Sequence, residues 1–354
     1  MIASLIPQEI FEGIPAGYEW VLVTIAAVAI ALLVVGADRA VSGAVKLSAA
    51  MGMSKVIIGA TVVSLGTTMP EACTSVTAAF AGKPGLALGN GVGSIICDTG
   101  LIFGLGLVLT RLPLDRFVLL RHGTLKILAG TLLTATVLVL ALLHGGWSGV
   151  MIPRVVGFAF VALLVGYLCI SVRWARVHPQ IVPDEAKVAE SAVKTAPTAR
   201  LAVVSLLWVV FGMVLVVVGS SGLVGSASEL ARRLDVPPDV VAVTMVAFGT
   251  SLPELVTALT AVMKGHGEIM IGNIIGADIL NVLFVIGASA SAVRLRVDML
   301  FYQLHLPAMM LVLGLMASYI FCTRDGTFRR WQGVPLLAAY AGYITLVVAV
   351  GAYH

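Results

Sequence analysis

The chain has 354 residues, 59% hydrophobic and only 11% charged, with a formal net charge of +4. Soluble domains carry roughly 25% charged residues, so a chain this poor in charge cannot present a water-facing surface, and most of its exterior must meet lipid. The small positive balance comes without a basic tract, a zinc-ligand spacing or an RNA-binding signature, which argues against nucleic acid as a partner.

The first 20 residues hold Glu9, Glu12 and Glu19 and no basic residue, unlike the start of a secretory signal. Apolar runs of about 20 residues, enough to cross roughly 30 Å of hydrocarbon, then follow over 18–37, 55–81, 85–110, 122–144 and 151–173. A polar stretch over 174–199, with Pro179, Pro183 and Pro197 among charges, reads as a cytoplasmic linker. Five more runs follow, over 200–222, 238–264, 267–292, 302–322 and 333–353. Tyr18, Trp20, Trp147, Trp174, Trp331 and Tyr353 fall near the ends of these runs, where interfacial anchors belong. Cys73, Cys97, Cys169 and Cys322 sit in apolar stretches without CxxC spacing and read as small buried packing residues.

Counting Lys and Arg in alternate loops orients the chain. With the N-terminus outside, 16 of the 22 basic residues fall on the inner side and 6 on the outer, so both termini are expected outside. The inner set includes Arg39, Lys46, Lys126, Arg173 and Lys264; the outer set includes Lys83, Arg154 and Arg296.

An internal repeat organises the whole sequence. At a displacement of 183 residues, SLGTTMPEACTSVTAAFAG (64–82) lies over AFGTSLPELVTALTAVMKG (247–265), and LGNGVGSIICD (88–98) over IGNIIGADILN (271–281). From 61 to 104, 15 of 44 columns are identical, among them the GT, PE and GN pairs that compositional bias would not align. Five helices per half is an odd number, so the second half inserts upside down relative to the first, with the site at the repeat interface. The expected fold is an all-α membrane protein of ten transmembrane helices: a first five-helix repeat over 1–173, the linker over 174–199, and a second, inverted repeat over 200–354.

Glu71 and Glu254 each follow a proline inside an apolar run. Proline removes a backbone donor and clashes with the preceding turn, and Gly66 and Gly249 loosen that turn further. The helix is expected to break there and to free the carbonyls of Ser64, Thr67, Ala247 and Thr250. Irregular backbone at membrane depth is tolerated only where it is buried in protein or lines a cavity. Thr67, Glu71 and Thr74 share a face, as do Thr250, Glu254 and Thr257. On the next helix of each half, Asn90, Ser94 and Asp98 form a second stripe, mirrored by Asn273, Ala277 and Asn281, and these stripes hold all three asparagines of the chain.

The deep carboxylates are therefore Glu71, Asp98, Glu254 and Asp278. A charge at the centre of a spanning helix costs roughly 2.5–3.5 kcal/mol, and two carboxylates about 4 Å apart repel by roughly 4 kcal/mol at an effective dielectric near 20. Such a cluster favours bound cations or protons. Carboxylate, carbonyl, hydroxyl and amide oxygens are hard donors that suit Ca²⁺ and, by the same hardness, Na⁺. Asp98 pairs by position with Asn281 and belongs in or against the site. Asp278 has Ile95 as its repeat mate and reads as a ligand or as a residue lining the path. The glycines of the GN pairs serve close helix packing or backbone ligation.

At these residues the sequence resembles the sodium/calcium exchanger branch of the cation/calcium exchanger superfamily, through SLGTTMPE with GNGVGSIICD and AFGTSLPE with GNIIGADILN. The resemblance implies ten helices in inverted repeats, alternating access, and cation sites at the bilayer midplane. It implies Glu71 and Glu254 as central Ca²⁺ ligands, aided by the carbonyls of Thr67 and Thr250. Sodium would use the same oxygens with flanking ones near Ser64, Ser94, Ala247, Thr68 and Ser251. The first and sixth helices would slide as a gating pair. Two positions depart from the pattern. The family often pairs Asn in the first repeat with Asp in the second, whereas here Asp98 precedes Asn281, and Ala277 lacks the hydroxyl that Ser94 supplies. The linker holds no calcium-sensing domain.

The sequence thus points to a secondary-active antiporter rather than an enzyme, exchanging Na⁺ for Ca²⁺ in a lipid bilayer, with no resident cofactor and no obligate protein partner. A prokaryotic plasma membrane is the expected location. An exchanger of the same fold coupled to H⁺, K⁺ or Mg²⁺ is the nearest alternative. A channel is disfavoured by the duplicated broken helices. An intramembrane hydrolase using Asp98 and Asp278 is disfavoured because those positions do not correspond in the repeat and neither lies in a GxGD motif.

Overall fold

The computed structural model describes residues 8–15, 17–112, 116–177, 198–234, 249–322 and 327–351. Among the described residues the regular elements are helices, apart from a two-residue strand pair. A short helix α1 (Gln8–Glu12) precedes the long α2 (Glu19–Met51). Next come α3 (Lys55–Thr67) and α4 (Met69–Phe80), then α5 (Pro84–Leu109), α6 (Arg116–His144), strand β1 (Met151–Ile152) and α7 (Arg154–Val177). The second half holds α8 (Thr198–Arg233), α9 (Leu252–Met263), α10 (Gly267–Ala292), strand β2 (Leu295–Arg296), α11 (Phe301–Cys322) and α12 (Gly333–Gly351).

Eight of these helices are long and apolar enough to cross a membrane, and the bent pair α3–α4 makes a ninth span. The tenth position carries α9, and the residues before it lie largely outside the described set, as do Ala247 and most of the linker. The β1–β2 pair joins the loop before α7 to the loop before α11, Met151 opposite Arg296, which puts both loops at the same end of the bundle.

Helices α2 and α8 run far past the expected 18–37 and 200–222. At 33 and 36 residues and 1.5 Å per residue they reach about 50 Å, well beyond the roughly 30 Å hydrocarbon layer, so they tilt or project from it. What carries them on is mutual packing. A Cβ placed on Gly212 of α8 would lie 2.5 Å from both Gly36 O and Ala40 N of α2, so only glycine lets the two backbones approach this closely. Helix α2 stops at Gly52, whose positive φ of 62° closes the last turn by donating to Ala49 O. Ser54 then starts α3 by accepting the Ile57 N–H.

The two GN helices form the centre. In α10, 94% of the most apolar stretch is buried, against 28% for α2. Helix α10 lies tightly on α3, where a Cβ on Gly276 would come within 2.5 Å of Ser64 Oγ, so this motif glycine serves packing. Three of the four cysteines depart from expectation: Cys97 is buried, but Cys73, Cys169 and Cys322 are exposed on the outside of the bundle. An apolar belt facing lipid accommodates a thiol as readily as a core does.

Helix α6 begins at Arg116 rather than 122. This brings Lys126 inside the bundle, where its side chain is fully buried against Asp278. Lys126 therefore cannot count as an inner-loop charge; the inner excess survives without it.

Candidate cation site

The helix break of the first half falls where its Pro-Glu pair requires it. Helix α3 ends at Thr67 and α4 starts at Met69, bent by 42° at Thr68, with Pro70 in the first turn of the new helix. In the second half α9 starts at Leu252, 183 residues on, with Pro253 in its first turn. Proline has no N–H to give, so it fits a first turn and leaves the carbonyl four residues back, that of Gly66, without its usual donor. Glu71 and Glu254 thus both sit in the first turn of a helix, at the positive end of its dipole.

One expected feature differs. The Ser64 carbonyl is not free: it accepts the Thr68 N–H at 2.9 Å, and the Thr67 hydroxyl, whose one proton it shares with Asn273 Oδ1, lies 3.3 Å away. The last turn of α3 closes on itself before the chain bends, which engages this carbonyl. The Ser64 hydroxyl in turn donates to Thr61 O at 3.4 Å.

Hydrogen bonds cross between the halves in matching pairs. Thr67 Oγ1 donates to Asn273 Oδ1 at 3.3 Å, and its repeat mate Thr250 donates to Asn90 Oδ1 at the same 3.3 Å. Asn90 also donates to Ser75 Oγ at 2.9 Å and to Glu71 O at 3.4 Å, so it ties both breaks together. Thr68 Oγ1 of the first half reaches Glu254 Oε1 of the second at 3.5 Å. Thr67 and Thr250, at matching places in the two halves, are therefore each held by the other half's asparagine. Asn90 and Asn273 were legible as stripe residues, but sequence reasoning did not give them this connecting role.

The acids converge in this frame. Glu71, Glu254 and Asp98 are each 1% exposed. Both carboxylate oxygens of Glu71, both of Asp98, and Oε2 of Glu254 have no hydrogen-bond partner among the described residues; the same holds for Ser94 Oγ, Ser251 Oγ and Asn281 Oδ1. The charges acting on Glu71 are those of Glu254 and Asp98. Unpaired buried carboxylate oxygens are costly unless a cation or proton meets them. Among the described residues no group of three His, Cys, Asp or Glu side chains is close enough to hold a metal alone. Any bound cation therefore draws on hydroxyl, amide and backbone oxygens as well as the two glutamates, a hard-donor set that fits Ca²⁺ or Na⁺. Ala247, expected to lend a carbonyl, lies outside the described residues.

Asp98 and Asn281 each stand at the start of a π-helical segment, Cys97–Phe103 in α5 and Asn281–Ile286 in α10. A third such segment, Gly59–Val63, lies in α3. There Tyr167 of α7 donates to the displaced Ala60 carbonyl at 3.1 Å. Wider turns of this kind recur at functional sites, and no residue pattern in the sequence announces them.

Asp278 is brought close but is already engaged. Its Oδ2 is 2.7 Å from Lys126 Nζ and accepts the Thr99 hydroxyl at 2.6 Å. Neither Lys126 nor Thr99 was picked out from the sequence. The available signal was a lone lysine five residues into a run that extends further upstream than its hydropathy indicates.

A broken helix in the first half, the matching Pro-Glu turn that opens α9 in the second, and buried oxygens unpaired between them mark a membrane cation antiporter of the inverted-repeat kind. The profile of the sodium/calcium exchanger protein family matches residues 21–173 and 204–349, and the chain belongs to that family. It is 32% identical to the inner membrane protein YrbG of Escherichia coli, over 90% of this chain and 94% of the relative. It is 25% identical to the sodium/calcium exchanger MaX1 of Methanosarcina acetivorans, over 89% and 95%. Its fold matches the solved structure of the sodium-calcium exchanger NCX_Mj with a TM-score of 0.75 and 26% identity, over 92% of this chain and 99% of the other.

Proposed function

We propose that the chain exchanges Na⁺ for Ca²⁺ by alternating access, with Glu71 and Glu254 as the shared ligands of both ions. The observation that carries this reading is that both glutamates are buried at the same break in opposite halves, with carboxylate oxygens that no described protein group satisfies. One Ca²⁺ between them, or several Na⁺, cancels their mutual repulsion. The empty site keeps that repulsion and resists the passage through a dry, closed state, so reorientation requires a load. Both full loads cannot bind at once, because they compete for the same oxygens. Thr67 and Thr250 carbonyls complete the Ca²⁺ shell. Thr68, Ser251, Ser94, Asp98 and Asn281 flank it for Na⁺, with Ser64 contributing its hydroxyl rather than its carbonyl. Asp278 acts through Lys126 and not as a ligand.

The chain is placed with both termini outside, from the bias of its Lys and Arg, and in a prokaryotic plasma membrane. The linker over 174–199 separates the two repeats, 1–173 and 200–354. Helices α2 and α8, packed glycine to backbone, supply the sliding pair.

The test is ⁴⁵Ca²⁺ uptake into proteoliposomes driven by an outward Na⁺ gradient, with and without a protonophore. Uptake that needs Na⁺ and ignores the protonophore is expected. Uptake driven by a proton or K⁺ gradient without Na⁺ overturns Na⁺ coupling and leaves an exchanger of the same fold with a different driving ion.

A further inference from the structure

Lys126 is a positive charge without access to water. It projects from α6, is 1% exposed, and places its ammonium 2.7 Å from Asp278 Oδ2 on α10 and 2.7 Å from Thr99 Oγ1 on α5. The Thr99 hydroxyl donates to the same Asp278 oxygen. Thr99 directly follows Asp98, and Asp278 lies one turn before Asn281, so the pair abuts the flank of the cation site. The charges acting on Asp98 are those of Glu254 and Asp278, opposed by Lys126.

The trio breaks the two-fold relation that the crossed Thr–Asn bonds and the paired glutamates obey. At the displacement of 183, Ile95 stands for Asp278, Val282 for Thr99, and the buried Met309 for Lys126. Apolar side chains therefore meet the packing need in the other half. A buried ion pair seldom gains stability over such a set, and an intramembrane ionisable group usually marks an ion path. Packing does not account for the charges.

We propose that Lys126 is a resident cation of the transport core: it supplies at Asp278 the positive charge that a bound Na⁺ would otherwise bring, and so reduces by one the monovalent cations exchanged. It is a specificity-determining residue, and the proposal rests on the Na⁺/Ca²⁺ reading above. The ammonium occupies one carboxylate oxygen of Asp278 and leaves only Oδ1 without a partner among the described residues.

The charges predict effects of opposite sign, which damage to the fold does not. Na⁺-dependent thermal stabilisation in detergent reads binding, and the Na⁺ dependence of ⁴⁵Ca²⁺ exchange reads coupling, for Lys126→Met, Asp278→Asn and the double variant. Asp278→Asn leaves the ammonium uncompensated and is expected to weaken Na⁺ binding about tenfold, the effect of a unit charge roughly 10 Å from an ion at an effective dielectric near 20. Lys126→Met frees an anion and is expected to strengthen Na⁺ binding by a similar factor and to raise the Hill coefficient for Na⁺. The neutral double variant returns towards wild type. Should Lys126→Met fail to fold, the weakening in Asp278→Asn and its reversal in the double variant still decide. Shifts in one direction for all variants, or a double variant no better than Asp278→Asn, overturn the proposal. A wild type that binds Na⁺ yet drives no Ca²⁺ defeats the antiport reading instead, and the Na⁺-binding shifts still judge Lys126.

Discussion

At the scale of single residues, two amide side chains matter as much as the acids they accompany. Asn90 receives Thr250 from the opposite half and donates to Ser75 and to the backbone carbonyl of Glu71. Asn90→Ala removes all three contacts in a buried site, at a cost of about 1–3 kcal/mol for the groups left unpaired. A lower melting temperature in detergent and weaker apparent Ca²⁺ affinity are expected together. Unchanged values for both speak against the crossed ties. The acids, the prolines and the asparagines were all legible in the sequence, because a charge or an amide in a spanning helix is expensive enough to need a reason. Lys126 was not, because hydropathy starts its run six residues after the helix does and a lysine near a helix end ordinarily reaches water. The engaged Ser64 carbonyl was not legible for a different reason: a break frees backbone groups, but the turn before it re-forms bonds that residue types do not specify.

At the scale of elements, proline and glycine gave the break positions to within a residue, since each acts through the backbone itself. The π-helical segments Cys97–Phe103 and Asn281–Ile286 left no such mark. They depend on how neighbouring helices meet, not on local propensity. Hydropathy also falls short of the length of α2, because Asp38 and Arg39 interrupt it while Ala40, Gly43 and Ala44 continue the packing face. That face carries a prediction. Gly212→Ala would push a methyl group into the α2 backbone, where neither Gly36 nor Ala40 has a side chain able to swing aside. Overpacking of this kind costs about 1–3 kcal/mol. With α2 and α8 as the proposed sliding pair, exchange is expected to slow more than ion binding weakens. Flux and binding that fall in equal proportion would show that the contact holds the fold together without limiting movement.

At the scale of the whole molecule, the inverted arrangement was inferred from an odd helix count and a repeat, and it makes a topological prediction. Lys83, after α4, and Lys264, at the end of α9, are both exposed and occupy nearly equivalent places in the two repeats. In a background lacking the three exposed cysteines, Lys83→Cys is expected to react with an impermeant maleimide added outside intact cells. Lys264→Cys is expected to react only after permeabilisation. Labelling of both from one side would refute the inversion.

The central claim is that one ion is held jointly by the two halves. Equilibrium binding of ⁴⁵Ca²⁺ to the purified protein in Na⁺-free detergent measures it most directly. The account expects a single Ca²⁺ per chain, displaced by Na⁺ and lost in Glu71→Gln and Glu254→Gln alike. Stoichiometric binding retained in either variant would contradict it.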